Sequence, residues 1–149
     1  MRTRKIALEI ICLLFFALFL YTAISKAIDI ERFKWALGKS PLFKNFKNWL
    51  PYPVIASELI VSSLLLCRNL RLVSLYASMG LMGVFTAYVI FVLQYSRVSH
   101  HLPCSCGGVI SQMNWSQHLV FNLFFLGLAW LGIVLYDRQQ ATQKYLLQQ

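Results

Sequence analysis

Charged residues are scarce in this sequence, and acidic residues are the scarcest of them. Only 13% of the 149 residues are charged, whereas 58% are hydrophobic. A soluble domain carries about 25% charged residues. No internal repeat, low-complexity tract or linker divides the chain, which is too short for a helical bundle and a separate soluble domain. These absences predict that residues 1–149 form a single transmembrane domain.

The few charges that are present are mostly positive. Fourteen Lys and Arg residues face five Asp and Glu residues, which gives a formal net charge of +9. A basic excess is also typical of nucleic-acid-binding proteins, but the sequence contains none of their motifs. In so apolar a chain, positive charge sets the topology and binds anionic lipid headgroups. We therefore expect the lipid bilayer, and no nucleic acid, as a partner.

Four apolar runs can cross a membrane, at about residues 6–25, 53–70, 72–95 and 115–136. About 20 apolar residues in a helix span a hydrocarbon core of ~30 Å. The first run also has features of a signal peptide, since Ser25 and Ala27 form a small-x-small pattern. It is longer than the usual apolar region of about 7–15 residues, and Lys26 interrupts the cleavage pattern. We predict an all-α, integral membrane four-helix bundle with an uncleaved first helix.

Two further signals concern how these helices begin and pack. Asn114 followed by Gln117 fits a capping box, in which each side chain bonds the other residue's backbone N–H, at the start of the fourth run. In the third run, Gly80, Gly83 and Ala87 provide small side chains where helices can approach closely. We predict close helix packing at these three positions.

The segment 26–52 is the most polar stretch between two apolar runs. Aromatic residues such as Trp35 and Trp49 are interleaved with cations such as Lys39 and Lys44. This mixture is typical of amphipathic helices that lie at a membrane surface. We predict an interfacial segment that covers the outer face of the bundle.

Charge distribution predicts the orientation of the chain. Four spans place both termini on one side, and the positive-inside rule assigns the more basic side to the cytoplasm. The cytoplasmic side then holds the tail 137–149, and the outer side holds the loop 96–114, in which Arg97 is the only Lys or Arg. The lysines of segment 26–52 run against the rule. The basic residues expected in the cytoplasm are Arg2, Arg4, Lys5, Arg68, Arg71, Arg138 and Lys144. In a bacterium this is a multi-pass inner (cytoplasmic) membrane protein with both termini cytoplasmic.

Cys104 and Cys106 are the leading candidates for chemistry. They follow Pro103 and precede Gly107 and Gly108, so they fall in a predicted turn. Residues i and i+2 do not face each other on a helix, but in a turn both sulfurs can meet. The pair suits an exchangeable disulfide or a metal. Its predicted location in the oxidising periplasm permits disulfide chemistry.

Three further polar residues are expected at the same depth as the cysteine loop. Glu58 lies inside the second run, where an acidic side chain is costly and usually paired or functional. Lys26 is its natural partner by depth, so a structural ion pair and a proton-handling carboxylate both remain open. His118 shares a helix face with Trp115 and Asn122. It either anchors the interface or hydrogen-bonds a thiolate, a quinone or a metal.

A metal site is a weaker alternative. Imidazole and thiolate ligands from this region suit copper or zinc, although their spacing matches no standard zinc pattern. The residues concerned are His100, His101, Cys104, Cys106 and His118.

The order of several short motifs carries a family resemblance. Tyr21-Thr-Ala-Ile-Ser-Lys26 is followed by Phe33, by Pro53 with Glu58, by Cys104-Ser-Cys106-Gly107-Gly108, and by Trp115-x-x-His118. In this order the chain resembles the DoxX-like superfamily of four-helix membrane proteins, and within it the methylamine-utilisation MauE type. The resemblance implies redox maturation of periplasmic proteins. It points to Cys104 and Cys106, with Lys26, Glu58 and His118 in support.

Three functional hypotheses follow. In the first, Cys104 and Cys106 exchange electrons with a periplasmic thioredoxin-like or cysteine-containing client, and His118 or Lys26 favours the attacking thiolate. A quinone is the candidate electron acceptor, although no quinone motif is present. In the second, the chain is a non-enzymatic assembly or chaperone subunit that binds a partner through residues 39–50. The third and weakest is a metal or small-molecule carrier with Glu58 inside the bundle.

Overall fold

The computed structural model describes residues 2–40, 42–96 and 114–147, and every regular element in these ranges is helical. Two short 3-10 helices, Lys44–Phe46 and Arg68–Leu70, accompany the α-helices. The α-helices are α1 (Arg2–Ile28), α2 (Ile30–Lys39), α3 (Pro51–Leu66), α4 (Arg71–Ser96) and α5 (Trp115–Leu147). The all-α prediction is confirmed over the described part of the chain.

Three of these helices are long and apolar enough to cross a membrane, among the residues that the structure describes. The segments concerned are Thr3–Ile28, Arg68–Tyr95 and Trp115–Thr142. The helix α3 is also apolar but has only 16 residues. At 1.5 Å per residue it is about 24 Å long, which is shorter than a ~30 Å hydrocarbon core. The fourth crossing therefore stays a prediction.

Local signals explain where several helices begin and end. Asp29 separates α1 from α2 and accepts a hydrogen bond from the Arg32 backbone N–H at 3.3 Å. Ser40 ends α2 in an extended conformation, which is the conformation favoured before a proline such as Pro41. Pro51 begins α3, where a missing N–H breaks no helical hydrogen bond.

The start of α5 carries the predicted capping box. The Gln117 backbone N–H donates to the Asn114 side chain at 2.8 Å, and the Asn114 backbone N–H donates to the Gln117 side chain at 3.0 Å. This reciprocal pair satisfies two N–H groups that an uncapped helix would leave without a partner. The predicted helix start is confirmed.

The helices pack mainly in two pairs, α1 against α3 and α4 against α5, and α1 also contacts α5. Phe15 lies at the centre of the core, with its ring 5.8 Å from that of Phe19 and 5.3 Å from that of Phe125. Large apolar side chains also cover the outer surface, for example Leu66 on α3 and Trp130 on α5. Apolar surface on the outside of helices this long is the arrangement that a lipid environment favours.

Close helix approach occurs at Gly132 and not at the predicted glycines. A Cβ at Gly132 would lie 3.0 Å from Leu75 Cδ2 and 3.3 Å from Ile11 Cγ2, so α1, α4 and α5 converge there. A Cβ at Gly80 or Gly83 would meet no described atom within 4 Å. The prediction for Gly80 and Gly83 is therefore wrong for contacts within this chain, because the face of α4 that carries them is turned away from the other described helices.

The two ends of the helices carry different polar groups. At the end with the N-terminus, Glu9 of α1 lies 3.5 Å from Arg71 and 3.8 Å from Arg68. Half of the Glu9 side chain is exposed, so this carboxylate reaches solvent. At the opposite end of α1, Lys26 meets α3. The turn between α3 and α4 therefore lies at the same end as the first turns of α1.

Segment 26–52 closes this opposite end of the molecule. Ala36 and Leu37 of α2 are buried, whereas Trp35 is exposed and the Lys39 ammonium lies 4.0 Å from its ring centroid. Lys34 donates to Glu31 at 2.7 Å. This hydrogen bond raises the pKa of the Lys34 ammonium, which therefore stays protonated well above neutral pH.

Candidate functional site

Lys26 and Glu58 form a hydrogen-bonded ion pair in the interior. The Lys26 Nζ donates to Glu58 Oε1, and the two side chains are 6% and 0% exposed. Lys26 lies in the last turn of α1, and Glu58 lies two turns into α3. The pairing that was expected from their matching depth is confirmed.

Aromatic rings from two other helices surround the lysine. The Lys26 ammonium is 5.8 Å from the ring centroid of Phe33 on α2 and 5.2 Å from that of Phe85 on α4. A cation within about 6 Å of a ring centroid is attracted by the ring's negative face. Four helices therefore contribute to the environment of a single cation.

The second oxygen of Glu58 has an unusual environment. Glu58 Oε2 is buried and no hydrogen bond to it is formed among the described residues. The nearby Thr22 hydroxyl interacts with the Glu58 carboxylate but donates its hydrogen bond to the Phe19 carbonyl oxygen at 3.2 Å. Leaving a buried acceptor unsatisfied costs about 1–3 kcal/mol, and more when the group is charged. This oxygen is therefore available to a hydrogen-bond donor that is not part of the described chain.

The first turns of α5 bring two more polar side chains to this end. His118 is 2% exposed and Asn122, one turn later, is 5% exposed. The Trp115 ring lies 6.4 Å from the His118 ring and 6.3 Å from the Tyr88 ring. The shared helix face predicted for Trp115, His118 and Asn122 is confirmed.

Lys26, Glu58 and His118 line one cavity of about 310 Å³. Its size and its mostly apolar wall with a few polar groups are typical of small-molecule pockets. The polar residues that line it are Thr22, Lys26, Glu58, Tyr88, His118 and Asn122. Its aromatic wall is formed by Phe19, Phe33, Phe43, Phe85 and Phe121. The three supporting residues that the sequence singled out thus converge on one space.

The structure describes only some of the residues named in the cysteine and metal predictions. Cys104 and Cys106 lie outside the described residues, as do His100 and His101. Cys12 is buried in α1 and Cys67 is exposed between α3 and α4, and no disulfide joins them. Among the described residues, no group of three or more His, Cys, Asp or Glu residues can hold a metal ion.

Several residues that line the cavity were not singled out from the sequence, among them Thr22, Phe85 and Tyr88. Thr22 lies four residues before Lys26, a spacing that places both on one face of α1. Phe85 and Tyr88 are three residues apart on α4, so they share a face in the same way. The spacing was a usable signal for Thr22. For α4, periodicity alone does not show which face meets the other helices.

Comparison with known proteins finds a family match over most of the chain. A family model described as "Methylamine utilisation protein MauE" matches residues 4–135. The matched region contains the ion pair, His118 and both cysteines of the 96–114 loop. No curated protein and no solved structure matches the chain.

Proposed function

This chain belongs to the methylamine utilisation protein MauE family, and we propose from this premise that it supports thiol–disulfide exchange in periplasmic proteins. It is a membrane protein with several long apolar helices, which we assign to a bacterial inner membrane. Cys104 and Cys106 are the proposed reacting residues. The proposed client is a thioredoxin-like or cysteine-containing protein, for which the family description makes a methylamine-utilisation component the first candidate.

The observation that supports this proposal is the buried polar cluster at the end of the molecule where α5 begins. Residues 97–113 join the end of α4 to the start of α5, and the Asn114–Gln117 cap fixes that start just before His118. Cys106 precedes Asn114 by eight residues, so an extended chain separates them by at most about 28 Å. The cysteines are therefore tethered to the end of the molecule that holds Lys26, Glu58 and His118.

The proposed reaction transfers a disulfide. A client thiolate attacks one sulfur of a Cys104–Cys106 disulfide, and the other sulfur leaves as a thiolate. A second client thiolate then displaces the attached cysteine, so that the client gains a disulfide and the pair is reduced by two electrons. A membrane quinone is the proposed acceptor that returns the pair to the disulfide. In this reaction His118 is the better candidate than Lys26 for favouring a thiolate, because Glu58 already compensates the Lys26 charge.

The same proposal includes four membrane crossings. The helix α3 is short, but the 3-10 helix Arg68–Leu70 continues the chain at one end, and Trp49 and Tyr52 lie exposed at the other. Aromatic side chains of this kind sit at the headgroup level of a bilayer. Both termini then lie in the cytoplasm, and the 96–114 loop faces the periplasm.

Trapping the client tests the thiol proposal. In the reverse direction of this exchange, the remaining thiolate of a Cys106→Ser or Cys104→Ser variant attacks the disulfide of the oxidised client, and one client sulfur leaves as a thiolate. The variant lacks the second cysteine that would displace the client, so it should accumulate a protein adduct that disappears on reduction. The matched control is Cys67→Ser, which keeps the reacting pair. The measurement is a non-reducing gel of membranes from cells that carry each variant. Full complementation of a deletion strain by the Cys104→Ser/Cys106→Ser double variant would falsify the proposal.

A second candidate function rests on the exposed aromatic residues of segment 26–52. Leu42, Phe46 and Trp49 are exposed beside Lys44 and Lys47, and such a surface suits a partner protein in a non-enzymatic assembly role. Under this alternative, replacing Phe46 and Trp49 with Ser should impair complementation more than losing both loop cysteines. The opposite order of effects would favour thiol exchange.

A further inference from the structure

The cavity at the Lys26–Glu58 pair has the properties of a ligand site that needs one hydrogen-bond donor. Its volume is about 310 Å³, roughly twice that of a 150 Å³ protein cavity that binds benzene. We propose that it binds a neutral aromatic alcohol, whose hydroxyl donates to Glu58 Oε2. The reduced form of the quinone acceptor proposed above is one ligand of this class, but the inference concerns binding, and its tests do not depend on the thiol chemistry.

The donor requirement comes from the carboxylate. Glu58 is fully buried, its Oε1 accepts from Lys26, and its Oε2 has no partner among the described residues. A carboxylate oxygen can only accept hydrogen bonds while it is ionised. A hydroxyl on the ligand supplies the missing donor, and a hydrogen bond to a charged group is stronger than one between neutral groups.

The neutrality of the ligand follows from the charges already present. Lys26 and Glu58 compensate each other within the cavity wall. A further cation or anion would enter a largely apolar space without a counter-charge, and burying an unpaired charge is strongly unfavourable. A neutral molecule meets the hydrogen-bonding need without this penalty.

The aromatic character of the proposed ligand follows from the side chains that line the cavity. Phe33, Phe43, Phe85 and Phe121 bring rings from α2, the following loop, α4 and α5 to the same space. Rings pack favourably on rings in offset or edge-to-face arrangements. Asn122, also in the wall, presents an amide that can donate to or accept from a second polar group on the ligand ring.

Two sources share this chemistry, a membrane-resident hydroquinone with an apolar tail and a small water-soluble phenol. Binding is tested with the full-length protein in detergent micelles, with para-tert-butylphenol as the probe. The matched compound is para-tert-butylanisole, which keeps the ring and the apolar group but has no donor. Equilibrium dialysis against protein-free micelles corrects for partitioning into detergent. The phenol should bind roughly 10- to 100-fold more tightly than the anisole, because only the phenol can donate to the carboxylate.

Substitutions at three positions test whether the two compounds bind in this cavity. Glu58→Gln should remove most of the preference for phenol over anisole. Val89→Phe should abolish binding of both compounds, because Val89 is a buried residue of the cavity wall on α4 and a larger ring fills the space. Val73→Phe is the matched control, since Val73 lies on the same helix but is 57% exposed and does not line the cavity. Val89→Phe leaves the ion pair intact, so it keeps the test valid if Glu58→Gln fails to fold.

Each outcome bears on the proposal. Equal binding of phenol and anisole, native-like binding by Val89→Phe, or recovery of only a lipid acyl chain from the cavity would overturn it. Solvent extraction of the purified protein distinguishes the two sources. A recovered prenylated hydroquinone, or the quinone that air oxidation forms from it, identifies the membrane source, whereas phenol binding without such a compound identifies the soluble one. Thiol trapping through Cys104 and Cys106 can succeed or fail independently of all these results.

Discussion

Glu58 is the residue whose place in the fold is hardest to explain by packing alone. It is a fully buried acid and the only charged residue of its helix, and its counter-charge comes from Lys26, 32 residues earlier in the chain. A buried ion pair adds little net stability compared with apolar side chains of the same size. Stability alone therefore does not account for this pair, which is consistent with the ligand proposed for the cavity.

The energetics of the pair can be tested by a double-mutant cycle. Lys26→Met and Glu58→Leu alone should each lower the free energy of unfolding by about 3–5 kcal/mol, because each leaves a buried polar group without its partner. The double variant should be nearly as stable as the native chain, since both groups are removed together. Reversible unfolding in mixed micelles with increasing dodecyl sulfate measures these differences.

A double variant that loses the sum of the two single losses would contradict this expectation. The activity of the double variant then separates a role of the pair in folding from a role in the cavity. If the pair serves only the fold, the stable double variant should complement a deletion strain fully. If the pair serves the cavity, the double variant should be stable and inactive.

At the scale of the element, α5 combines a site at one end with a packing role further along. Its first turns carry the capping box, His118 and Asn122, and Gly132 lies several turns later. A Cβ at Gly132 would lie 3.0 Å from a Leu75 side-chain atom and 3.3 Å from an Ile11 side-chain atom, so these side chains pack directly against this part of the helix. Because this contact fixes α5 against α1 and α4, it also fixes the depth at which His118 enters the cavity.

Substitution of Gly132 tests this role. Gly132→Leu should lower the free energy of unfolding by about 1–3 kcal/mol relative to Gly127→Leu, because only the first forces side chains into Leu75 and Ile11. The control Gly127 lies on the same helix, where an added Cβ would meet no described atom within 4 Å. Both changes gain the same helix propensity, so the difference isolates packing. Equal stability of the two variants would show that α5 does not pack closely at Gly132.

At the scale of the whole molecule, the two ends differ in chemistry. One end holds the exposed Glu9 carboxylate beside Arg68 and Arg71, and the other holds the buried Lys26–Glu58 pair under segment 26–52. The positive-inside rule assigns the arginine end to the cytoplasm. In the proposed topology, the lysines of segment 26–52 lie outside, where aromatic neighbours would hold them at the headgroup level.

Cysteine labelling tests this orientation. In a Cys12→Ala/Cys104→Ser/Cys106→Ser background, the exposed Cys67 should react with a membrane-impermeant maleimide only after the membrane is permeabilised. Lys47→Cys, introduced together with Cys67→Ser, should react in intact spheroplasts, because Lys47 lies at the opposite end of the molecule. The reverse pattern at both positions would invert the proposed topology and place the loop cysteines in the reducing cytoplasm.

Much of the site was predictable because depth in a membrane can be read along the chain. Lys26 at the end of one apolar run and Glu58 near the start of the next were expected at one depth, and the structure pairs them. The face shared by Trp115, His118 and Asn122 follows from helical spacing alone. The close approach predicted for Gly80 and Gly83 was wrong, because small residues permit contact but do not determine which face meets a neighbour.

The sequence by itself determined the class of protein, the helices and their ends. Long apolar runs require helices in lipid, since every backbone polar group must be satisfied within the segment, and caps such as Asn114 and Gln117 act locally. Only the tertiary structure decided that α1, α3 and α5 deliver Lys26, Glu58 and His118 to one cavity and leave Glu58 Oε2 without a partner. The reason is that helix rotation and pairing depend on contacts between distant residues, such as Gly132 with Leu75 and Ile11, which no local pattern contains.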